Sequence, residues 1–340
     1  MKTMQEIFDK YQNGLKGALD KLETVSRFGA DIARNNIRRV FFVGCGAPNR
    51  VMSSVRYWVD KYSENLETHL YFPAEFIEQQ PAKLSSDSLV ILISESGSTQ
   101  EVVQAAQFVK ENSDCQTISI SSKEDAVIAQ FTKHHFAYLQ GMVGFEAKFM
   151  LLMAIMSSYL NEKGDWDLHT MIMKGLKALP EALALAEWTT IQKNDWLADL
   201  YKEEDFYMIT ASGPCYPVAY SLGVCILMEA LWVRMFEGEA AEFFHGPFEI
   251  IDPTTPVILF IGEDPSRPIA ERVKRFLENQ TKKIIVYDSV EYRMEGIPEQ
   301  ARPMLAPYIL GAASYGFADA LSKRRGQPLT TRRYMGKVDY

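Results

Sequence analysis

The sequence predicts an α/β protein built from two parallel sheets, each flanked by helices. Three observations carry this expectation. Short apolar runs stand at 39–44 (RVFFVG), 88–93 (SLVILI), 206–210 (FYMIT), 257–262 (VILFIG) and 283–287 (KIIVY). Runs of this length, apolar on both faces, suit strands covered on each side. Stretches of helical length separate most of them, and strands alternating with helices imply βαβ units and a parallel sheet. The alternation also starts twice, on either side of the polar, glycine-containing stretch NEKGDWD at 161–167.

The elements follow in order. Residues 4–36 read as a helix, with Ile7, Tyr11, Leu15, Leu19 and Leu22 at helical spacing. After the strand at 39–44 come a helix over 49–62, a short strand at 70–72, the strand at 88–93, a helix over 99–110 and a strand at 116–120. The strongly apolar helix 146–160 closes this half. Residues 168–200 suggest two connecting helices. The second half opens with the strand at 206–210, then a helix over 217–235, then the last two strands. The expected organisation is a helical segment (1–35), a first α/β domain (36–165), connecting helices (166–200), a second α/β domain (201–325) and a tail (326–340).

The bulk properties narrow the function. A chain of 340 residues with 47% hydrophobic content suits about two domains with proper cores. The longest apolar runs, such as 149–156, fall short of the roughly 18 residues that cross a membrane. The first ten residues hold no apolar core of a secretory signal, so a cytoplasmic protein without a membrane partner is expected. The net charge of −8 argues against non-specific nucleic-acid binding, which needs a basic face. An anionic small molecule remains open, since backbone N–H groups can hold phosphate in an acidic protein. Cys45, Cys115, Cys215 and Cys225 form no C-x-x-C pair, and the five histidines show no H-x-x-x-H spacing. They read as reduced thiols, with no metal and no cofactor expected.

Three segments carry chemistry. Ser94-Glu95-Ser96-Gly97-Ser98-Thr99 follows a buried strand and opens a helix. A helix N-terminus offers unpaired N–H groups and partial positive charge, and hydroxyls around one glycine admit a phosphate. An ordinary serine-rich cap is the plainer reading. Gly44-Cys45-Gly46-Ala47-Pro48-Asn49 matches half a dinucleotide fingerprint, but Asn49 stands where the third glycine belongs. A tight turn bringing the backbone of Gly46 and Ala47 to the same ligand is favoured over a Rossmann site.

The third segment begins at Glu229, inside the apolar run VCILMEALWV. A carboxylate there is costly unless it faces a cavity, and partial desolvation would raise its pKa toward that of a useful base. The alternative is a buried salt bridge, for instance with Arg234. Sixteen residues on stands His245, followed by Gly246-Pro247, which fixes a turn.

Together these pieces resemble the sugar isomerase (SIS) family over about residues 36–340. The family's S-x-S-G-x-T phosphate loop is matched by Ser94, Ser96, Gly97 and Thr99. The isomerase half of glucosamine-6-phosphate synthase carries a helical glutamate sixteen residues before an H-G-P histidine, which Glu229 and His245 match. Two positions depart from the synthase: Ile226 replaces a lysine and Pro48 a loop serine. EFFHGPFEI at 242–250, the Met228-Glu229 helix and PLTTRRYM at 328–335 are closer to the bacterial deglycases of 6-phosphofructosyl amino acids, of the fructose-asparagine/aspartate or fructoselysine type.

The resemblance implies a substrate that is a phosphorylated sugar–amino acid conjugate, with Glu229 and His245 as the acid–base pair. It implies a homodimer whose active sites are shared between subunits. An aldose–ketose phosphate isomerase would use the same residues, and a non-catalytic sugar-phosphate regulator would not need both. For the amino-acid part, Glu146 is a candidate, although charge at a helix N-terminus explains it more simply. Arg332, Arg333 or Lys337 in the tail is a candidate for a substrate carboxylate, with solvated tail charges an equal alternative.

Overall fold

The computed structural model describes residues 2–139 and 143–338, so the last two residues of the expected tail lie outside it. The chain forms two compact units. One runs to Glu181 and includes Gly296–Ala301; the other holds Ala182–Glu295 and the chain from Arg302 onward.

The first unit opens with α1 (Met4–Arg34), capped by a reciprocal Thr3–Glu6 box. Ile7, Tyr11, Leu15, Ala18 and Leu22 form its buried stripe, while Leu19 is only partly covered. Then follow β1 (Arg39–Val43), α2 (Ala47–Tyr62), β2 (Glu67–Tyr71), α3 (Pro73–Gln79), β3 (Ser88–Ile93), α4 (Gln100–Asn112), β4 (Gln116–Ser121), β5 (His134–Ala137) and α5 (Gly144–Lys163). The sheet order is β2-β1-β3-β4-β5, parallel throughout. The runs RVFFV and SLVILI are central because both their faces must be covered. Phe41, Val43, Val90 and Leu92 meet Val102, Ala105, Ala106 and Val109 of α4 in one core. Two strands differ from the expectation. β2 lies earlier than 70–72, and β5 was not foreseen because its edge position leaves His134 and His135 partly in water. α5 is buried at every position from Glu146 to Leu160.

Residues 169–201 form one continuous helix, α6, with Pro180 inside it, rather than two. The division between the units falls within α6. The second unit continues with β6 (Phe206–Ala211), α7 (Tyr216–Tyr220), a π-helical stretch (Ser221–Met228), α8 (Glu229–Leu231), β7 (Arg234–Glu239), β8 (Val257–Ile261), α9 (Arg267–Gln280), β9 (Ile284–Asp288) and α10 (Arg302–Arg325). Its sheet is β7-β6-β8-β9, again parallel. The helix expected to run to Met235 stops at Leu231, because Trp232 takes a left-handed conformation (φ +55°). That break frees Arg234–Glu239 to be a strand.

The helical stretch Gly213–Leu231 is long and apolar enough, by length and composition, to cross a membrane, contrary to the expectation that no run reaches that size. More than half of it is buried inside the protein, as a core helix would be. All four cysteines are free thiols. Among the described residues no cluster of His, Cys, Asp and Glu is arranged to hold a metal ion.

Candidate active site

Parallel strands end on one edge of a sheet, where the loops after them meet the N-termini of the following helices. In the first unit β1 is flanked by β2 and β3, so the chain leaves it toward opposite sides, and a crevice opens between the β1 and β3 loops. Both candidate loops lie there.

The β3 loop is a compact hydroxyl cluster. Ser94, 1% exposed, places Oγ 2.8 Å from Thr99 Oγ1 and accepts the Gly97 N–H at 3.1 Å. Ser96 Oγ accepts the Ser98 N–H at 3.2 Å and its hydroxyl at 3.0 Å. Gly97 sits at φ +66°, and a Cβ there would come within 2.4 Å of Ala126 Cβ, so both conformation and space require glycine. Thr99 is the N-cap of α4, yet its side chain makes no capping bond; its hydroxyl turns to Ser94 instead. The plainer reading, a serine-rich cap, would have spent that hydroxyl on the helix.

The β1 loop presents backbone. Gly46 is the N-cap of α2 and has open space where a side chain would stand. Asn49 is 2% exposed and donates its amide to the carbonyls of Gly44 (3.0 Å) and Tyr71 (3.3 Å). It ties the loop to β2, a structural task that the position of a missing third glycine does not reveal. Glu146 is 2% exposed in the first turn of α5.

The second unit has the same switch between β6 and β8, but there the crevice is filled from within. Ser266 Oγ lies 2.5 Å from Asp264 Oδ1 and 2.9 Å from Ser212 Oγ. The Glu239 carboxylate, at the end of β7, accepts the Gly213 N–H at 3.3 Å. Burial pushes Glu239 up to about 7, against backbone hydrogen bonds from Gly213, Ala241 and Ala240 that pull it down. Burial also holds the neighbouring Cys215 thiol well above its ordinary value, so it stays protonated.

Glu229 follows the π-helical stretch directly. Widening to π geometry recurs at functional sites because it re-aims side chains that a regular helix would bury. Glu229 borders a cavity of about 630 Å³ whose walls are Met228 and Trp232 to Met235 on one side and the tail residues Arg332 to Met335 on the other. Its side chain is 27% exposed, and Arg332 Nη2 lies 3.4 Å from Oε2. The ion pair considered with Arg234 is thus made with Arg332, ninety-eight positions beyond Arg234. Gln327 brings the tail here by donating to the Ala230 carbonyl at 2.6 Å. Arg333 stacks its guanidinium 4.2 Å from the Trp232 ring. Burial raises the Glu229 pKa, and Arg332 opposes it. Lys337 does not line the cavity; its ammonium donates to the Arg332 carbonyl at 2.5 Å.

His245 is exposed on a turn, with its backbone N–H donating to the Glu242 carbonyl at 2.9 Å. Phe243 is buried in the core under β8 and α9, and Phe244 and Phe248 meet Phe276 edge to face, with ring centres 5.5 and 5.8 Å apart. The aromatic pair beside His245 therefore belongs to its own unit's core, where it holds the turn rigid. His245 does not line the Glu229 cavity. Sequence reasoning passed over Lys148, which binds Glu95 of the hydroxyl loop. The signal was present: a lone lysine in the apolar run FEAKFMLLM, the same kind of anomaly that singled out Glu229.

The chain is thus an α/β protein of two parallel sheets, with a hydroxyl loop at a sheet switch point and a part-buried carboxylate beside a cavity. The SIS domain family matches residues 35–160. The chain is 34% identical to fructosamine deglycase FrlB of Bacillus subtilis over 321 residues, 93% of this chain and 97% of that protein. It is 27% identical to the fructoselysine 6-phosphate deglycase of Escherichia coli K12, over 90% of this chain and 88% of that one. A Bacillus subtilis crystal structure, provisionally described as a phosphosugar isomerase, matches with a TM-score of 0.89 at 34% identity, covering 95% and 99% of the two chains. The chain belongs to the SIS domain family. Its relatives are enzymes, which supports a sugar-phosphate role of deglycase or isomerase type.

The Glu239 pKa has a consequence for stability. Between the ordinary carboxyl value of 4.5 and about 7, the folded protein keeps a proton that the unfolded chain has lost. Stability therefore falls as pH rises through that window. Glu239→Gln lacks this term. The difference in Tm between wild type and variant should shrink or reverse by several degrees from pH 4.5 to 7 and stay flat above; thermal melts across that range would show it. A constant difference would remove the assignment.

Proposed function

We propose that this protein cleaves a 6-phosphofructosyl amino acid to glucose 6-phosphate and the free amino acid. One observation carries the reading: a part-buried carboxylate with a raised pKa borders a cavity walled by apolar side chains and three arginines, in a chain similar to named deglycases along nearly its whole length. The Ser94–Thr99 loop, with the Gly46–Ala47 backbone, would hold the 6-phosphate, and Glu229 would act at C1.

The chemistry is proton transfer. His245 moves a proton to the ring oxygen as the sugar opens, exposing the C2 carbonyl. That carbonyl acidifies C1–H, next to the amino-acid nitrogen. Glu229 takes the C1 proton, giving an enaminol. Return of a proton at C2 gives the aldose imine, and water adds to C1 and releases the amine. A base with a pKa lifted toward neutrality suits this step. The amino-acid part is bonded through nitrogen to the carbon that Glu229 deprotonates, so it occupies the same cavity. Arg332 and Arg333 there offer guanidinium groups to its carboxylate. Anchoring the far phosphate positions the reacting carbon.

We further propose that the active site is shared in a two-fold dimer. The exposure of His245 and its absence from the cavity of Glu229 support this, since a partner subunit's copy would then supply the histidine.

Assaying a panel of 6-phosphofructosyl amino acids for release of glucose 6-phosphate tests the activity. Interconversion of fructose 6-phosphate and glucose 6-phosphate, with no amine released from any conjugate, would make the protein an isomerase instead.

Glu229→Gln keeps the shape and removes the base. It should lower kcat by about 10²–10⁴-fold with ligand affinity nearly intact; near-normal turnover would end the assignment.

Ser96→Ala with Thr99→Ala should weaken binding of phosphorylated sugars and leave unphosphorylated analogues unchanged. Equal losses for both would make the loop a structural cap.

Refolding Glu229→Gln together with His245→Ala tests the shared site. A mixed dimer collects both defects in one site and none in the other. Random pairing should therefore restore about a quarter of wild-type activity. No recovery, with mixed dimers demonstrated, would place both residues in one chain.

A further inference from the structure

One residue of the hydroxyl loop is at odds with an anionic ligand. Glu95 stands between Ser94 and Ser96 with its side chain 52% exposed. A free carboxylate there would repel a phosphate dianion.

The structure deals with that charge from behind. Lys148 of α5 is 2% exposed and directs its ammonium onto Glu95 Oε2. The same ammonium lies 5.5 Å from the centre of the Tyr138 ring, itself fully buried. A lysine among the buried positions 146–160 is costly unless its charge is met by an opposite one. Gly144, four residues earlier on the same face of α5, supplies the second feature. A Cβ on Gly144 would fall 2.5 and 2.6 Å from the two Glu95 carboxylate oxygens. The carboxylate therefore rests against bare backbone in the first turn of the helix, where negative charge is favoured. The loop backbone is fixed as well, since the Glu95 carbonyl accepts the Ser122 N–H at 3.1 Å.

The placement is asymmetric. A pair serving only the core would bury both ends. Here the cation is sealed inside and the acid lies on the ligand side. Resting on the phosphate-loop reading above, we propose that Lys148 is a positioning residue: with the bare backbone of Gly144, it holds and neutralises the Glu95 carboxylate so that the neighbouring hydroxyls can accept a doubly charged phosphate.

The test measures glucose 6-phosphate binding by calorimetry on the full-length protein, and KM and kcat on whichever conjugate the panel shows to be cleaved. Lys148→Met keeps the buried volume and removes the charge. Affinity for glucose 6-phosphate should fall, and KM rise, about ten-fold or more, with kcat changed less than about two-fold. Adding Glu95→Gln should bring affinity back to within about two-fold of wild type, because nothing is left to neutralise. A double variant as weak as the single one would mean that Lys148 acts other than by neutralising Glu95, which overturns the proposal. Should Lys148→Met fail to fold, Glu95→Gln alone decides. Binding equal to or tighter than wild type supports the proposal, and a ten-fold loss means the carboxylate itself serves the ligand and overturns it. The two readings fail differently. Unchanged glucose 6-phosphate binding in the Ser96→Ala/Thr99→Ala variant overturns the phosphate loop and this inference with it. Unchanged binding in Lys148→Met beside a weakened loop variant overturns this inference alone.

Discussion

Parallel strands all finish on the same edge of a sheet, and every following helix turns its N-terminal N–H groups back toward that edge. Both units of this protein are organised by that constraint. It fixes where an anion can be met by unpaired donors, and it places the loops after β1 and β3 beside each other. The apolar strands make such an edge reliable. Phe41, Val90 and Ile91 are fully buried, so the loops begin from rigid positions.

The two units meet this constraint with opposite results. In the first, the loop side chains are hydroxyls that bond among themselves and leave backbone open at Gly46. In the second, Glu239 and Asp264 occupy the equivalent crevice, and Gly213 gives its N–H to a resident carboxylate. An architecture repeated in one chain has thus left backbone open at one edge while the other holds its own carboxylates. The buried Lys148 fits the same logic, since it puts a positive charge behind the open edge where the filled edge has negative ones.

Glu229 is governed by a different constraint, the ending of a helix. The π-helical stretch and the left-handed Trp232 stop the chain early, which exposes one side of the carboxylate to a cavity. The tail then closes the other side, anchored through Gln327 on Ala230. Burial and Arg332 pull the acid's pKa in opposite directions, leaving a carboxylate that is raised yet held in place.

What the sequence by itself determined here was whatever depends on neighbours in the chain. The central strands, the hydroxyl loop after β3, the anomaly of an acid at Glu229 and the rigid turn at His245 were legible because apolar runs, small residues and proline act locally. Tertiary structure decided the rest. His134–Ala137 and Arg234–Glu239 became edge strands through pairing with β4 and β6, which no local pattern records. Arg332 reached Glu229 only because the tail folds back across a hundred positions, and Lys148 became the partner of Glu95 only because α5 is buried behind the loop. Charges in a folded interior are settled by what burial places next to them, and that is a property of packing and not of order in the chain.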